Sequence, residues 1–371
     1  MLLFTPGPTP VPEAVRVAMS TPTIHHRTLE FEAIFKSARE SLIKLFGMSE
    51  AVILASSGTG AMESAIVNVS KGKTLTINAG KFGDRFSKIV KAHGLDLVEL
   101  KYEWDTPASV DDVISAIKEN GDIDSIAIQI CESAGGLRHP VEEIAKEVKK
   151  INRDIAIIAD GITAVGVEEL DVSNIDVLIT GSQKALMLPP GLAMLGLSQY
   201  AIKRIGKGRG YYFNLASEIA KQQKNTTAYT AATTLIIGLN KIFELVDEFG
   251  GFDKLYKVTK ARHKALLSAL KSINLKVYPK SPAFAMATII DENSEDLRKL
   301  LKRKYNVNVA GGQDHLKGKI FRINNMGLIE TSDMMYVVDS IESALANLGR
   351  LEYSACAVEE FTKTLKAELS E

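Results

Sequence analysis

Asp176-Val-Leu-Ile-Thr180-Gly181-Ser182-Gln183-Lys184-Ala185-Leu186 climbs an apolar run, turns through Gly-Ser, presents one lysine, and soon meets the corner Leu188-Pro189-Pro190-Gly191. A lysine at the exit of a buried strand is unfavourable, because desolvation penalises its charged form. The setting suits an amine held partly neutral, the state a Schiff-base lysine needs. A surface lysine after a strand has the same local pattern, so the surrounding sequence must decide.

The pattern recurs on both sides of that stretch. Ala51-Val-Ile-Leu-Ala55, Thr74–Ile77, Ser125–Ile130 and Ile155–Ala159 are short apolar runs, Leu95–Leu100 alternates, and Leu192–Leu197 closes the series. Helical spacing lies between them: Thr28–Phe46 with Gly47 at the C-cap position, the segment after Gly60 through Val69, Phe82–His93, Val110–Ile117, and Pro140–Ile151. Apolar strands separated by amphipathic helices predict an α/β fold with a mostly parallel sheet covered on both faces. After about residue 250 the texture changes. Helices over Phe252–Ile273, Glu295–Lys304, Met334–Leu348 and Val358–Leu369 accompany strands over Leu275–Tyr278, Ala285–Ile290 and Ile320–Ile323. The expected organisation is an N-terminal arm over 1–15, a large domain over 16–250 and a small α+β domain over 251–371. The arm is extended because Pro6, Pro8, Pro10 and Pro12 lack N–H donors.

Lys+Arg and Asp+Glu both number 45, so no basic excess points to nucleic acid and no acidic tail to a disordered partner segment. Cys131 and Cys356 cannot form a disulfide framework or a C-x-x-C pair, which fits a reducing compartment. The first residues lack the basic and long apolar segments of a secretory leader, and no apolar stretch is long enough to span a membrane. A cytoplasmic globular protein is expected, with neither a nucleic-acid nor a membrane partner.

Ligands of parallel α/β sheets sit at the carboxyl ends of the strands. Ser57-Gly58-Thr59, Ser133, Asp160 and Lys184 fall there. Ser57-Gly58-Thr59-Gly60 precedes a helix and can hold a phosphate against the helix dipole, although it is also a common strand-to-helix turn. It matches neither G-x-x-x-x-G-K-[ST] nor G-x-G-x-x-G. Asp160 ends an apolar run, where a carboxylate needs a partner. That partner could be a metal, the next helix, or a protonated ring nitrogen. Asp160-Gly-Ile-Thr163 supplies no further metal ligand, and the six histidines show no H-E-x-x-H spacing, so no metal site is expected. A lysine, a buried aspartate and a phosphate cradle on strand ends are together what pyridoxal 5'-phosphate requires.

The chain resembles the class V, fold-type I aminotransferases, closest to the alanine–glyoxylate and serine–pyruvate aminotransferase family. Thr5-Pro-Gly-Pro8, Ser57-Gly-Thr59, Phe82-Gly-Asp-Arg85, Glu132-Ser133, Asp160, Gly181-Ser-Gln-Lys-Ala185 with Pro189-Pro-Gly191, Tyr229-Thr230 and Phe321-Arg-Ile323 fall in the family's order. The resemblance implies a seven-stranded, mostly parallel sheet flanked by helices, with a smaller C-terminal domain. It implies that Lys184 is the Schiff-base lysine and proton shuttle, and that Asp160 keeps the pyridine nitrogen protonated. Ser57, Gly58, Thr59 and Gln183 would bind the phosphate, with Thr230 reaching it from the other subunit of a homodimer whose sites lie at the interface. Ser133 would lie by the ring hydroxyl, with Ile162 on one ring face and Phe82 in the stacking position usually held by Trp. Arg322 would grip the substrate carboxylate, its planar fork suiting bidentate binding, and Gly7 would line the substrate pocket. Phe82 as ordinary core and Arg322 as partner of a structural carboxylate are the competing readings.

This sequence departs from the family at Cys131-Glu-Ser-Ala-Gly-Gly136, where hydroxyls are lost, at Ile130, and at Ala228 and Ala231, which replace flanking prolines. The implied activity is a ping-pong transfer from a small amino acid, alanine or serine, to a small 2-oxo acid, glyoxylate or pyruvate. Alternatives on the same scaffold are an aspartate or 2-aminoethylphosphonate aminotransferase, a cysteine desulfurase-type lyase, and a noncatalytic subunit. The lyase reading is weakened by Gln183 in the place of a histidine and by the absence of an activating neighbour for Cys356.

Overall fold

The structure, a computed structural model, describes residues 1–370. Its larger sheet has seven strands, in the spatial order Glu50–Ala55, Leu192–Leu197, Val177–Gly181, Ala156–Asp160, Ile123–Gln129, Lys73–Asn78, Leu97–Lys101. All neighbours run parallel except Leu192–Leu197, which is antiparallel to both strands beside it. Every residue of the strands Ala156–Asp160, Val177–Gly181 and Leu192–Leu197 is buried. Helices cover both faces there, which is why these strands read as continuous apolar runs. One face packs Met62, Ile66 and Phe86 onto Ile158 and Ile179, and the other packs Phe31, Phe35, Leu42 and Leu239 against Ile157 and Leu178.

The helix Leu29–Phe46 shows how local signals set an element. Thr28 Oγ1 accepts from the Phe31 N–H at 3.3 Å, apolar residues recur on one face, and Gly47 closes the helix at φ 62°. Fully burying one of its phenylalanines is worth about 1.5–3 kcal/mol.

A second sheet has five strands, in the order Leu2–Phe4, Val307–Gly311, Ile320–Asn324, Met286–Ile290, Lys276–Val277. Sequence patterning misses two of these. Leu2–Phe4 is only three residues long and gains its identity by pairing in parallel with Val307–Val309, a non-local event. The expected extended arm therefore starts as an edge strand of the smaller sheet. Patterning also assigns nothing between Leu197 and residue 250, where helices Gln199–Ile205, Leu215–Gln222 and Thr233–Phe249 form. The first two are short and are separated by the glycine-rich 206–210 turn. The third opens on β-branched Thr233-Thr234 without a side-chain cap, so tertiary burial of Ile236, Leu239 and Ile242 outweighs its weak start. No helix among the described residues is long and apolar enough to cross a membrane.

Candidate active site

The turn carrying Lys184 is closed by its own serine. Ser182 Oγ donates to the Pro189 carbonyl at 2.7 Å and accepts from the Leu192 N–H at 3.1 Å, which folds Gln183–Leu188 into a loop over the strand ends. The arm clamps this loop from above. Thr9 Oγ1 donates to the Lys184 carbonyl at 2.7 Å, the Thr9 N–H donates to the Gln183 carbonyl at 3.1 Å, and Lys184 Nζ donates to the Pro6 carbonyl. Gly7 sits at φ +97°, and a Cβ there would lie 2.5 Å from Lys184 Nζ, so only glycine fits both the backbone and the space. Burial draws the Lys184 amine down to about 8, with the Arg322 charge adding to the effect and Cys131 and Asp160 opposing it.

Asp160 ends the strand directly beside Val177–Gly181. Its Oδ1 accepts from the Ile162 N–H at 2.9 Å. Burial pushes this carboxyl up to about 6, against the Ile162 N–H and the Lys184 and Arg85 charges. Ser57 stands at the N-cap of Gly58–Val69 but makes no side-chain capping bond, so its hydroxyl and the first N–H groups are available to an anion. A Cβ on Gly58 would overlap Ile162 Cδ1, which packs directly over that turn.

Arg85, the last residue of the Phe82-Gly-Asp-Arg85 motif, also enters the site. Its Nη1 donates to Thr59 Oγ1 at 2.8 Å, and its guanidinium lies 4.6 Å from the Phe82 ring centroid. The signal available in sequence was its i+3 spacing from Phe82 on one helix. These groups surround a cavity of about 240 Å³ that Ser57, Gly58, Thr59, Phe82, Arg85, Cys131, Ser133, Asp160, Ile162, Thr163, Gln183 and Lys184 line. Gln183 Oε1 is buried there without a hydrogen-bond partner. The lining thus combines a helix N-terminus with hydroxyls and a guanidinium, a buried carboxyl and a buried amine. That donor set fits pyridoxal phosphate.

Beside this cavity lies the loop that departs from the family pattern. Glu132 is fully buried; its Oε2 accepts from the N–H groups of Phe82 at 2.9 Å and Gly83 at 3.0 Å, and its Oε1 from Ala134 N–H at 3.0 Å. Burial pushes the Glu132 carboxyl up to about 7, against these three donors. Gly135 is held by close approach, since a Cβ would lie 2.5 Å from the Trp104 carbonyl oxygen. Arg322 reaches this loop from the smaller sheet: Phe321 and Ile323 alternate into the core, and Arg322 faces the other way. Its Nη1 donates to the Ser133 carbonyl at 2.6 Å, and Nε and Nη2 donate to the Gly311 carbonyl at 3.2 and 2.7 Å. No carboxylate in the chain forms an ion pair with it among the described residues. Burial lowers its guanidinium to about 10, so it stays charged at neutral pH.

Thr230 is not brought to this cavity. It lines a separate cleft with Tyr212, Glu218 and Tyr229.

Comparison with known proteins gives a consistent frame. The family model for Aminotransferase class-V matches residues 1–342. An uncharacterized aminotransferase of Helicobacter pylori is 49% identical over 364 residues, covering 98% of this chain and 99% of that protein. The serine–glyoxylate aminotransferase of Methylorubrum extorquens is 28% identical, covering 94% of this chain and 91% of its own length. Among solved structures, a subgroup IV aspartate aminotransferase from Thermus thermophilus superposes with a TM-score of 0.87 at 28% identity, over 94% of this chain and 99% of that one.

Proposed function

The chain belongs to the class-V aminotransferases, enzymes that depend on pyridoxal phosphate, and we propose that it moves an amino group from alanine or serine to glyoxylate or pyruvate by a ping-pong mechanism. The observation that carries this reading is Arg322, a buried guanidinium bonded only to carbonyl oxygens beside the Lys184 cavity. It offers one fork for one α-carboxylate. Arg85, the guanidinium that lines the cavity itself, lies at the Thr59 end, where its Nη1 donates to Thr59 Oγ1, so it is placed for a phosphate rather than for a side-chain carboxylate. Small neutral donors follow, and the serine–glyoxylate relative supports the same choice.

Bound here, pyridoxal phosphate supplies an aldehyde that accepts the amino group and a cationic ring that withdraws electrons. The protein's own groups do the rest. Ser57, Gly58, Thr59, Arg85 and Gln183 would hold the phosphate at the helix N-terminus, and Thr230 of a second copy would complete that end. Phe82 and Ile162 would flank the ring, and Ser133 would lie by its hydroxyl. Asp160, as a carboxylate, would hold the proton on the ring nitrogen. Lys184 Nζ would take the proton from the substrate Cα and redeliver it, a task suited to an amine that burial draws down to about 8. Arg322 would hold the substrate carboxylate, and Gly7 leaves the lysine room to move. In this scheme residues 1–15 are an arm over the site, 16–250 the cofactor domain and 251–371 the small domain, and two copies form a homodimer. Cys131 and Cys356, both free, fit a cytoplasmic enzyme.

A half-reaction screen tests the substrate reading. Alanine or serine should convert the absorbance of the bound cofactor to that of its amino form, and aspartate and 2-aminoethylphosphonate should not. Conversion by aspartate alone would replace the reading with the activity named for the Thermus thermophilus structure. Conversion by none of them would favour a noncatalytic role.

A further inference from the structure

Glu132 is a buried carboxyl that faces no cation at hydrogen-bond distance. Its partners are backbone N–H groups from two segments about fifty residues apart in sequence. On one side it caps the helix Lys81–Ala92, whose first five residues include Phe82 and Arg85. A Cβ on Gly80 would overlap the Glu132 carboxyl, so the helix start is built around it. On the other side it fixes the Ala134 N–H, and the peptide unit between Ser133 and Ala134 also supplies the carbonyl that holds Arg322 Nη1 at 2.6 Å. One peptide unit is therefore held by Glu132 through its N–H and holds Arg322 through its oxygen.

We propose that Glu132 is a positioning residue that sets the orientation of the Arg322 fork through the Ser133–Ala134 peptide, and so sets affinity for the substrate carboxylate. The inference rests on the reading that Arg322 receives that carboxylate. The Arg322 side of Nε and Nη2 is occupied by the Gly311 carbonyl, so rotation of the guanidinium is limited by two oxygens, one of which Glu132 immobilises.

Glu132→Gln separates the two sides of the carboxyl. The amide oxygen can keep the Phe82 and Gly83 N–H groups, while the amide NH₂ confronts the Ala134 N–H, donor against donor. In the holoenzyme, the inhibition constant of propionate, a carboxylate that cannot react, and the donor KM should both rise about tenfold, while kcat stays within about threefold. The affinity of the apoenzyme for pyridoxal phosphate should also stay within about threefold, because the helix side is kept. Glu132→Asp keeps the carboxyl but is too short to span both segments, and it should weaken propionate in the same direction; it decides the matter where Glu132→Gln yields no folded protein. Unchanged propionate affinity in the folded variant, with Arg322→Lys weakening it, would overturn the role of Glu132 alone. A parallel loss of cofactor and propionate affinity would also overturn it, since that marks general disruption. Propionate binding that ignores Arg322→Lys would instead sink the assignment of Arg322.

Discussion

At the scale of single residues, the clearest conflict between stability and use is Lys184. Its amine is pulled down to about 8 chiefly by burial, so the folded state binds fewer protons than the unfolded chain between about 8 and 10.5. Stability of the cofactor-free protein attributable to this group therefore rises with pH through that window, and below pH 8 the burial penalty is fully present. Lys184→Met should make the cofactor-free protein more stable at pH 7 by about 1–2 kcal/mol, an advantage that fades toward pH 10. Urea denaturation at the two pH values checks this. A less stable variant at pH 7 would mean that the bond to the Pro6 carbonyl outweighs desolvation. Lys184 and Asp160 were legible in sequence because each interrupts or follows an apolar run, where an ionisable group stands out. Arg85 and Glu132 fall in motif stretches, but their partners were not legible, because tertiary contacts make them: Arg85 meets Thr59 across two helices, and Glu132 meets backbone N–H groups that no side-chain pattern records.

At the scale of elements, the arm and the lysine loop act as one unit. The prolines made an extended arm legible, but not its berth, since a three-residue strand has no periodicity and Val307–Gly311 is recognisable only once Leu2–Phe4 lies beside it. Two substitutions separate what the arm does for stability from what it does for the site. Thr9→Ala removes the hydroxyl that bonds the Lys184 carbonyl and should cost about 1 kcal/mol of stability, with the pyridoxal phosphate content of the purified protein unchanged. Gly7→Ala should cost about 1–3 kcal/mol, because it forces a side chain into left-handed backbone and against Lys184 Nζ. It should also lower cofactor content by displacing the amine. Thermal unfolding together with cofactor absorbance distinguishes the two. Equal cofactor loss in both would show that arm docking, rather than the space at Gly7, is what the lysine needs.

Across the whole molecule, the site is assembled from both sheets: Lys184 and Asp160 come from the larger one, and Arg322 from the smaller one crosses to the Ser133 carbonyl. The larger sheet was legible because each of its strands is a local apolar run, whereas the placement of Arg322 over it depends on how two cores pack. Thr230 belongs to a further level again. It lies apart from its own chain's cavity, next to stacked Tyr212 and Tyr229, whose ring centroids are 5.0 Å apart, and near Tyr211, which is 82% exposed. Large aromatic surface of this kind is what a subunit contact buries. In the proposed homodimer it would be covered while Thr230 is delivered to the partner's phosphate end. The protein should therefore sediment as a dimer, and the double change Tyr211→Glu and Tyr212→Glu should shift it toward monomer. Cofactor affinity of that monomer should fall about tenfold, the worth of one charge-assisted hydrogen bond, and Thr230→Val should produce a similar fall without changing sedimentation. A monomer that binds pyridoxal phosphate as tightly as the parent would show that each chain completes its phosphate end alone, with Arg85 and the Gly58 helix terminus sufficient for the purpose.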